Sequence, residues 1–210
     1  MKALISKKFF RYLILAVYCF FFFLMLQITL QYIPIDTDIA FLRIKQEYIN
    51  KTHYRIAFFI HVFFSLFSLL AGFTQFSKRF LRSFPKLHRI IGYIYIISII
   101  LFAAPSGFII GIYANGGISS QIAFCLLSVL WFYFTFKAFT KIRKGNIDDH
   151  RNFMIRSFSL TLSAITLRAW KFILVALFHP RPMDVYIMVA WLGWVLNLAL
   201  AEIIIYNSKK

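Results

Sequence analysis

Six apolar runs, each about as long as the hydrocarbon core of a bilayer is thick, dominate this chain of 210 residues. A helix of about 20 apolar residues spans that core. Because lipid offers backbone N–H and C=O groups no partner outside the segment, we expect every run to be helical. The sequence therefore predicts an all-α polytopic transmembrane bundle in a single membrane domain. The predicted spans are residues 9–33, 54–76, 87–112, 119–139, 152–178 and 185–206.

Composition supports a membrane protein and explains the high positive charge. Hydrophobic residues make up 61% of the chain, against about 45–50% in a typical soluble domain, so a soluble fold would expose much of the excess to water. A net charge of +17 by itself suggests a nucleic-acid partner. The lysines and arginines, however, lie in short clusters between apolar runs and not on one face or domain. We therefore expect a lipid partner and no nucleic acid.

The basic clusters also predict an orientation. Sixteen lysines and arginines lie at the N-terminus, in residues 77–89, in residues 137–151 and at the C-terminus. The segments on the opposite side carry six. Because loops rich in Lys and Arg stay in the cytoplasm, we expect both termini inside and the polar linker 34–51 outside.

Several function classes are disfavoured by what the sequence lacks. Cys19 and Cys125 each lie in an apolar run, without the Cys and His spacing of a metal site. No HExxH, P-loop or Rossmann fingerprint is present, and no GxSxG nucleophile elbow occurs. We therefore predict no metal-ion site, and we disfavour serine catalysis and nucleotide binding.

The second predicted span carries a small and polar stripe on one helical face. Such a stripe is typical of close helix–helix packing in membranes. Packing accounts for every member except the histidine, His61. The stripe consists of His61, Ser65, Ser68, Gly72 and Gln75.

The fifth predicted span carries a second seam of this kind, which we expect to face inward. Arg156 lies close enough to the cytoplasmic helix end to snorkel, whereas Arg168 is far from either end. An arginine near the bilayer centre costs about 2.5–3.5 kcal/mol and is normally kept for a partner, a cavity or an anionic ligand. We therefore predict that Arg168 and His61 lie close together and form one site. The seam consists of His150, Met154, Ser157, Thr161, Ala164 and Arg168.

The third predicted span places His88, Gly92 and Tyr95 on one face. By the predicted topology, His88 and His150 both begin outward-running helices, at similar cytoplasmic depth. Pro105 and Gly107 near the other end of the span predict a kink, because proline removes a helical hydrogen bond.

Several segments that contain these residues resemble those of a known protein family. The segments HRIIGYIY from His88, DHRNFMIRS from Asp149 and TLR from Thr166 resemble the bacterial membrane proteins grouped as domain of unknown function 2306. With His61 and the Gln75-Phe76 pair, the likeness covers about residues 50–175. It implies a small multi-pass protein of the bacterial inner membrane and no particular activity. The matching positions are His61, His88, Gly92, His150, Met154, Arg156 and Arg168.

Three function classes stay open from the sequence. In a redox bundle, linked to haem b or a quinone, His88 and His150 would supply two axial imidazoles, and Arg89 and Arg151 would pair with the propionates. In a transporter or binding protein for a small anionic or apolar ligand, intramembrane polar residues would mark the ligand's path. A structural or accessory subunit would bind no ligand. The candidate ligand-binding residues are His61, Arg156, Arg168, Gly92 and Tyr95.

Overall fold

The computed structural model describes residues 2–208 and contains no strand within them. Its helices are α1 Lys2–Leu30, α2 Gln46–Ile49, α3 Thr52–Gln75, α4 Lys78–Ser83, α5 Pro85–Ile97, α6 Ala104–Ile112, α7 Gly117–Arg143, α8 Ile147–Thr161, α9 Ser163–Phe178 and α10 Pro182–Asn207. A 3-10 helix at Ala40–Lys45 precedes α2, and a π-helix at Ser98–Ala103 joins α5 to α6.

Five helical stretches are long and apolar enough to cross a membrane. The bent pair α8 and α9 makes a sixth when it is counted as one span. The prediction of an all-α, multi-pass bundle is therefore confirmed. The five stretches are Tyr12–Leu30, Thr52–Gly72, Pro85–Ile112, Gly117–Arg143 and Pro182–Asn207.

The third span is interrupted where the sequence predicted a kink. The π-helix ends at Ala103, and Pro105 occupies the first turn of α6. Proline has no N–H to donate, and its ring would clash with the carbonyl four residues earlier in a continuous α-helix. A π segment widens the turn before the proline and thereby relieves the clash.

The fifth span differs from the single helix predicted over residues 152–178. It begins earlier, at Ile147, and bends by 42° between α8 and α9. Hydroxyls near the bend bond to main-chain carbonyls of the preceding turn: Ser159 Oγ to Arg156 O at 2.7 Å, and Thr166 Oγ1 to Leu162 O at 3.1 Å. Such back-bonding draws carbonyls out of the helical ladder and favours bending.

Short helices lie in two segments between the predicted spans. The linker over residues 34–51 contains the 3-10 helix and α2, and the basic segment over residues 77–86 contains α4. Ser77 caps α4, because its hydroxyl accepts from the backbone N–H of Phe80 at 3.2 Å. Capping by a serine satisfies one of the free N–H groups at a helix start.

Helix α7 lies at the centre of the packing, against α6 on one side and α8 on the other. The main core cluster includes Tyr95, Ile99, Trp131, Leu160 and Trp194. Below, the end of the bundle that carries His88 and His150 is called the histidine end. The opposite end, which carries Lys45, Lys51 and Tyr113, is called the lysine end.

Candidate functional site

A buried hydrogen bond between Tyr95 and Ser157 sets the register of α5 against α8. The two hydroxyls lie 2.7 Å apart, and neither residue is more than 1% exposed. His88 precedes Tyr95 by seven residues, and His150 precedes Ser157 by seven. Seven residues are close to two helical turns, so each histidine lies on the same face as its hydroxyl partner, about 10 Å nearer the histidine end.

The hydroxyls form a chain in which each proton has one acceptor. Thr135 Oγ1 donates to Trp131 O at 2.7 Å, so it accepts from Ser157 Oγ, 2.7 Å away. Ser157 then accepts from Tyr95. Beside this chain, Trp131 Nε1 donates to Thr161 Oγ1 at 3.0 Å. The network ties α5, α7 and α8 together without an unpaired donor, and its residues are buried.

The two histidines of the histidine end lie on different helices, His88 on α5 and His150 on α8. His150 Nδ1 lies 2.9 Å from the carbonyl of Ala138. A carbonyl can only accept, so Nδ1 carries the proton and Nε2 keeps the lone pair in the neutral ring. His88 Nδ1 is buried and has no hydrogen-bond partner within the part of the chain that the structure describes. His88 therefore presents a buried nitrogen atom that the described protein groups do not satisfy.

Gln75 fixes the backbone around His88. Its Nε2 donates to His88 O at 3.2 Å, and a methyl group on Gly92 would lie 3.2 Å from its Oε1. The absence of a side chain at Gly92 thus lets Gln75 lie against α5. Gln75, predicted as part of a packing stripe, has a specific role beside the histidine.

Three predicted arginines lie near the histidine end and have different surroundings. Arg89 and Arg151 are exposed, each directly next to one of the two histidines. Arg156 forms a bidentate ion pair with Glu202 on α10, at 2.5 and 2.8 Å. A paired arginine is a structural link between α8 and α10, and its role in ligand binding stays a prediction.

His61 lies against the π-helix. Its Nδ1 is 2.8 Å from the carbonyl of Ala103, and a methyl group on Gly107 would lie 3.0 Å from its ring. The π segment and Gly107 together make room for the imidazole. The carbonyl fixes the proton on Nδ1, so His61 holds a defined tautomer.

Arg168 is exposed beyond the bend of the fifth span, although Met154, Ser157 and Thr161 of the same predicted seam are buried. Its Nη1 donates to Ala164 O at 2.6 Å. Arg168 and His61 each bond to a main-chain carbonyl. A joint site of the two residues stays a prediction.

Lys45, at the lysine end, was missed as a structural residue from the sequence. It is 2% exposed; its amine donates to the carbonyl of Tyr113 and to Asn115 Oδ1, the latter at 2.5 Å. The Tyr48 ring lies 5.3 Å from the amine. Burial lowers the pKa of Lys45 to about 8. These contacts attach the linker before α3 to the turn between α6 and α7.

Other residues of importance also escaped the sequence argument. Trp131 and Thr135 lie in a helix whose apolar and polar residues show no clear periodicity, and the acceptor for His150 is the carbonyl of an alanine. The sequence carries no signal for a main-chain acceptor. Glu202 was visible as the acid closest to the inner end of the last span, and this depth alone could have suggested Arg156 as its partner.

Comparison with known proteins gives one family. The family described as "Predicted membrane protein (DUF2306)" matches residues 58–205. No curated protein and no solved structure matches the chain. The match contains every histidine and arginine singled out above and extends beyond the expected core at residues 50–175 into α10. Because it covers more than half of the sequence, the chain belongs to the DUF2306 family of predicted membrane proteins.

Proposed function

We propose that the protein is a haem b-binding electron-transfer protein of the bacterial inner membrane, with His88 and His150 as the two axial ligands. The observation that supports this function is the register of α5 and α8. The Tyr95–Ser157 hydrogen bond, at 2.7 Å, supports the pairing, because each histidine lies about two helical turns before one of these two residues. Two imidazoles from two helices of a bundle are a ligand set that b-type haem uses.

The residues present fit such a group. The buried Nδ1 of His88 has no partner among residues 2–208, which in a native structure requires an explanation such as an absent ligand or water. His150 is oriented by the carbonyl of Ala138, as metal-binding histidines commonly are by an acceptor on their second nitrogen. That hydrogen bond fixes the tautomer and makes Nε2 more basic.

The side chains around the pair have distinct tasks. Haem, when bound, supplies an iron that takes up and releases one electron. Arg89 and Arg151 place positive charge next to the histidines, where carboxylates of a porphyrin would pair with guanidinium groups. The Tyr95 network closes the site from the interior of the bundle, since its hydroxyls bond to each other. The chain thereby binds, orients and shields the group.

An absorption spectrum tests the proposal directly. Protein purified from haem-replete cells should show a low-spin b-type spectrum. His88→Ala or His150→Ala should abolish it or convert it to high spin, with retained haem lowered by about tenfold or more. His53→Ala and His179→Ala, which remove histidines at the lysine end, are matched controls and should leave the spectrum unchanged.

Two results would contradict the proposal. One is folded wild-type protein without haem after haem-replete expression. The other is loss of the spectrum in His61→Ala while His88→Ala and His150→Ala retain it, because that outcome would place the ligands elsewhere in the bundle. Size-exclusion chromatography of every variant shows whether a lost spectrum reflects a lost ligand or a lost fold.

A further inference from the structure

Helix α4, at the histidine end, separates apolar from basic side chains. Successive residues of an α-helix are rotated by about 100° about its axis. This rotation places the apolar residues of Lys78–Ser83 on one side of α4 and the basic residues on the other. The ring of Phe84, the C-cap, lies 5.7 Å from the Phe80 ring and continues the apolar side. The apolar side consists of Phe80, Leu81 and Phe84, and the polar side consists of Lys78, Arg79, Arg82 and Ser83.

The bundle does not cover the apolar side of α4. Leu81 is 45% exposed and Phe84 is 57% exposed, and Phe80 is only partly buried. The helix packs against α3 and α5, the two helices that it joins. Apolar side chains that are exposed beside a row of cations are typical of helices that lie in a membrane surface.

The place of α4 in the chain puts it at the level of a membrane surface. The helix before it, α3, belongs to one span and ends at Gln75, and the helix after it, α5, begins the next span at Pro85. The N–H of His88 donates to the carbonyl of Phe84 at 2.9 Å, so α4 is bonded to the first turn of α5. The two spans therefore hold α4 where hydrocarbon meets the lipid headgroups.

The polar side of α4 carries positive charge that the protein does not neutralise. The exposed cations of this segment form no ion pair within residues 2–208, where the two ion pairs are Lys141–Asp149 and Arg156–Glu202. No acid occurs in residues 76–90. A ligand complementary to this surface is an anion. The exposed cations are Lys78, Arg79, Arg82, Lys86 and Arg89.

We propose that α4 binds acidic phospholipids, with Lys78, Arg79 and Arg82 at the phosphates and Leu81 and Phe84 against the acyl chains. Clusters of Lys and Arg next to a span attract anionic headgroups, and arginine pairs with phosphate through two parallel N–H···O bonds. A nucleic acid or an acidic soluble protein would match the charge but leave the apolar side in water. The site does not depend on the binding of haem.

Native mass spectrometry of the full chain in a neutral detergent tests the preference for phosphatidylglycerol over phosphatidylcholine with the same acyl chains. Each cation near an anionic lipid adds roughly fivefold to binding, so wild-type protein should retain phosphatidylglycerol at least about fivefold better. Arg79→Gln combined with Arg82→Gln should lower this preference by about fivefold or more. Arg79→Lys combined with Arg82→Lys keeps both charges and should retain most of it.

The matched control is Arg143→Gln combined with Lys144→Gln, in the turn between α7 and α8. Both residues are exposed, so the control loses the same net charge at the same end and should keep the preference. Leu81→Ser, which keeps every charge, should weaken the retention of phosphatidylglycerol, and Leu81→Met should restore it. Equal retention of both lipids by the wild type, or equal losses in the α4 variant and the control, would overturn the proposal.

The depth of α4 in a bilayer gives a second measurement, which does not require the charge variants to fold. In protein with Cys19→Ser and Cys125→Ser, a nitroxide label is attached at Leu81→Cys or at Ser83→Cys, and each protein is reconstituted into phosphatidylglycerol vesicles. Oxygen, which is enriched in hydrocarbon, should relax the label at position 81, and a water-soluble nickel complex should relax the label at position 83. If the nickel complex relaxes both labels equally, the apolar side lies in water and the proposal is overturned in favour of a soluble acidic partner.

Discussion

The lysine end and the histidine end both bury a nitrogen atom of a basic side chain, but they satisfy it differently. At the lysine end, the amine of Lys45 has two oxygen acceptors and lies near an aromatic ring. At the histidine end, the buried Nδ1 of His88 has no partner among the described residues. Lys45 joins two segments of the chain, whereas His88 retains binding capacity that the protein itself does not use.

This difference indicates which of the many polar residues in the bundle are candidates for function. A buried polar group that is fully hydrogen-bonded contributes to the fold, and its partners explain its presence. A buried imidazole without a partner is costly for the fold alone, since desolvation is not compensated. The network of Tyr95 and Ser157 belongs to the first kind, and the Nδ1 atom of His88 belongs to the second.

The largest expected effect concerns the side of the membrane on which each of the two ends lies. Reporter fusions at Lys86, Gly145 and Lys210 should read cytoplasmic, because the positive charge is concentrated on that side. Fusions at Asp38, Gly116 and Arg181 should read external. This outcome would place the histidine end at the cytoplasm, with access to soluble electron donors.

Fusions along the whole chain serve as their own control, since the reading must alternate between successive loops. An external C-terminus would contradict the orientation and place the histidine end outside. A fusion at Gly145 that reads the same as one at Arg181 would show that the bent pair α8 and α9 does not cross the membrane as one span.

The packing of the two ends can be compared through their turn glycines. Gly116 and Gly117 at the lysine end and Gly145 at the histidine end all have positive φ. A methyl group on Gly116 would lie 2.6 Å from Ser120 Oγ and 2.9 Å from Ile187 Cγ1, whereas Gly117 and Gly145 have nothing within 4 Å. The turn at the lysine end is thus tightly packed at a single position.

Gly117→Ala and Gly145→Ala should each lower stability by about 1–2 kcal/mol, the cost of the left-handed backbone for a residue with Cβ. Gly116→Ala should lower it by about 1–3 kcal/mol more, because the methyl group overpacks the turn. Thermal unfolding in detergent measures the three variants side by side. Equal losses at Gly116 and Gly117 would mean that the lysine end is as loosely packed as the α7–α8 turn.

The sequence was sufficient for the helical bundle, the family and the kink before Pro105, because hydrophobic length, motif residues and proline chemistry are local properties. It was insufficient for the bend at Leu162, beside which hydroxyl groups bond to main-chain carbonyls of the preceding turn. This bend is why Arg168 leaves the seam on which Ser157 and Thr161 lie. Periodicity assumes a straight helix, so it predicted one continuous face.

The candidate site could be predicted only in part, because only some of its features are local in the sequence. Spacing alone placed His88 with Tyr95 and His150 with Ser157, since each pair lies on one helix. Other features of the site depend on contacts between segments that are distant in the sequence, for which one sequence holds no signal. These are the bond between Tyr95 and Ser157, the Ala138 acceptor of His150 and the contacts of Lys45.

The smallest expected effect concerns Lys45 and the pH. Its pKa is about 8 in the folded protein, below the usual 10.5, because burial disfavours the charged amine. Between these two values the unfolded chain binds a proton that the folded chain has released, so stability should rise as the pH increases from about 8 to about 10.5. The neutral amine still has two N–H groups for its two acceptors, Tyr113 O and Asn115 Oδ1, so deprotonation keeps the contact.

The measurement is the difference in thermal unfolding temperature between wild-type protein and Lys45→Met, followed from pH 7.5 to pH 10. Subtraction removes the titration of other groups, and the difference should shift by a few degrees in favour of the wild type. Lys51→Met is the matched control, because Lys51 is an exposed neighbour over the Tyr48 and Tyr113 rings and should leave the pH dependence in place. A difference that is constant with pH would show that burial leaves the pKa of Lys45 unchanged, and one that favours the wild type most at pH 7.5 would show that the folded protein stabilises the charged amine. In either case, burial at the lysine end would not favour the neutral form of the Lys45 amine.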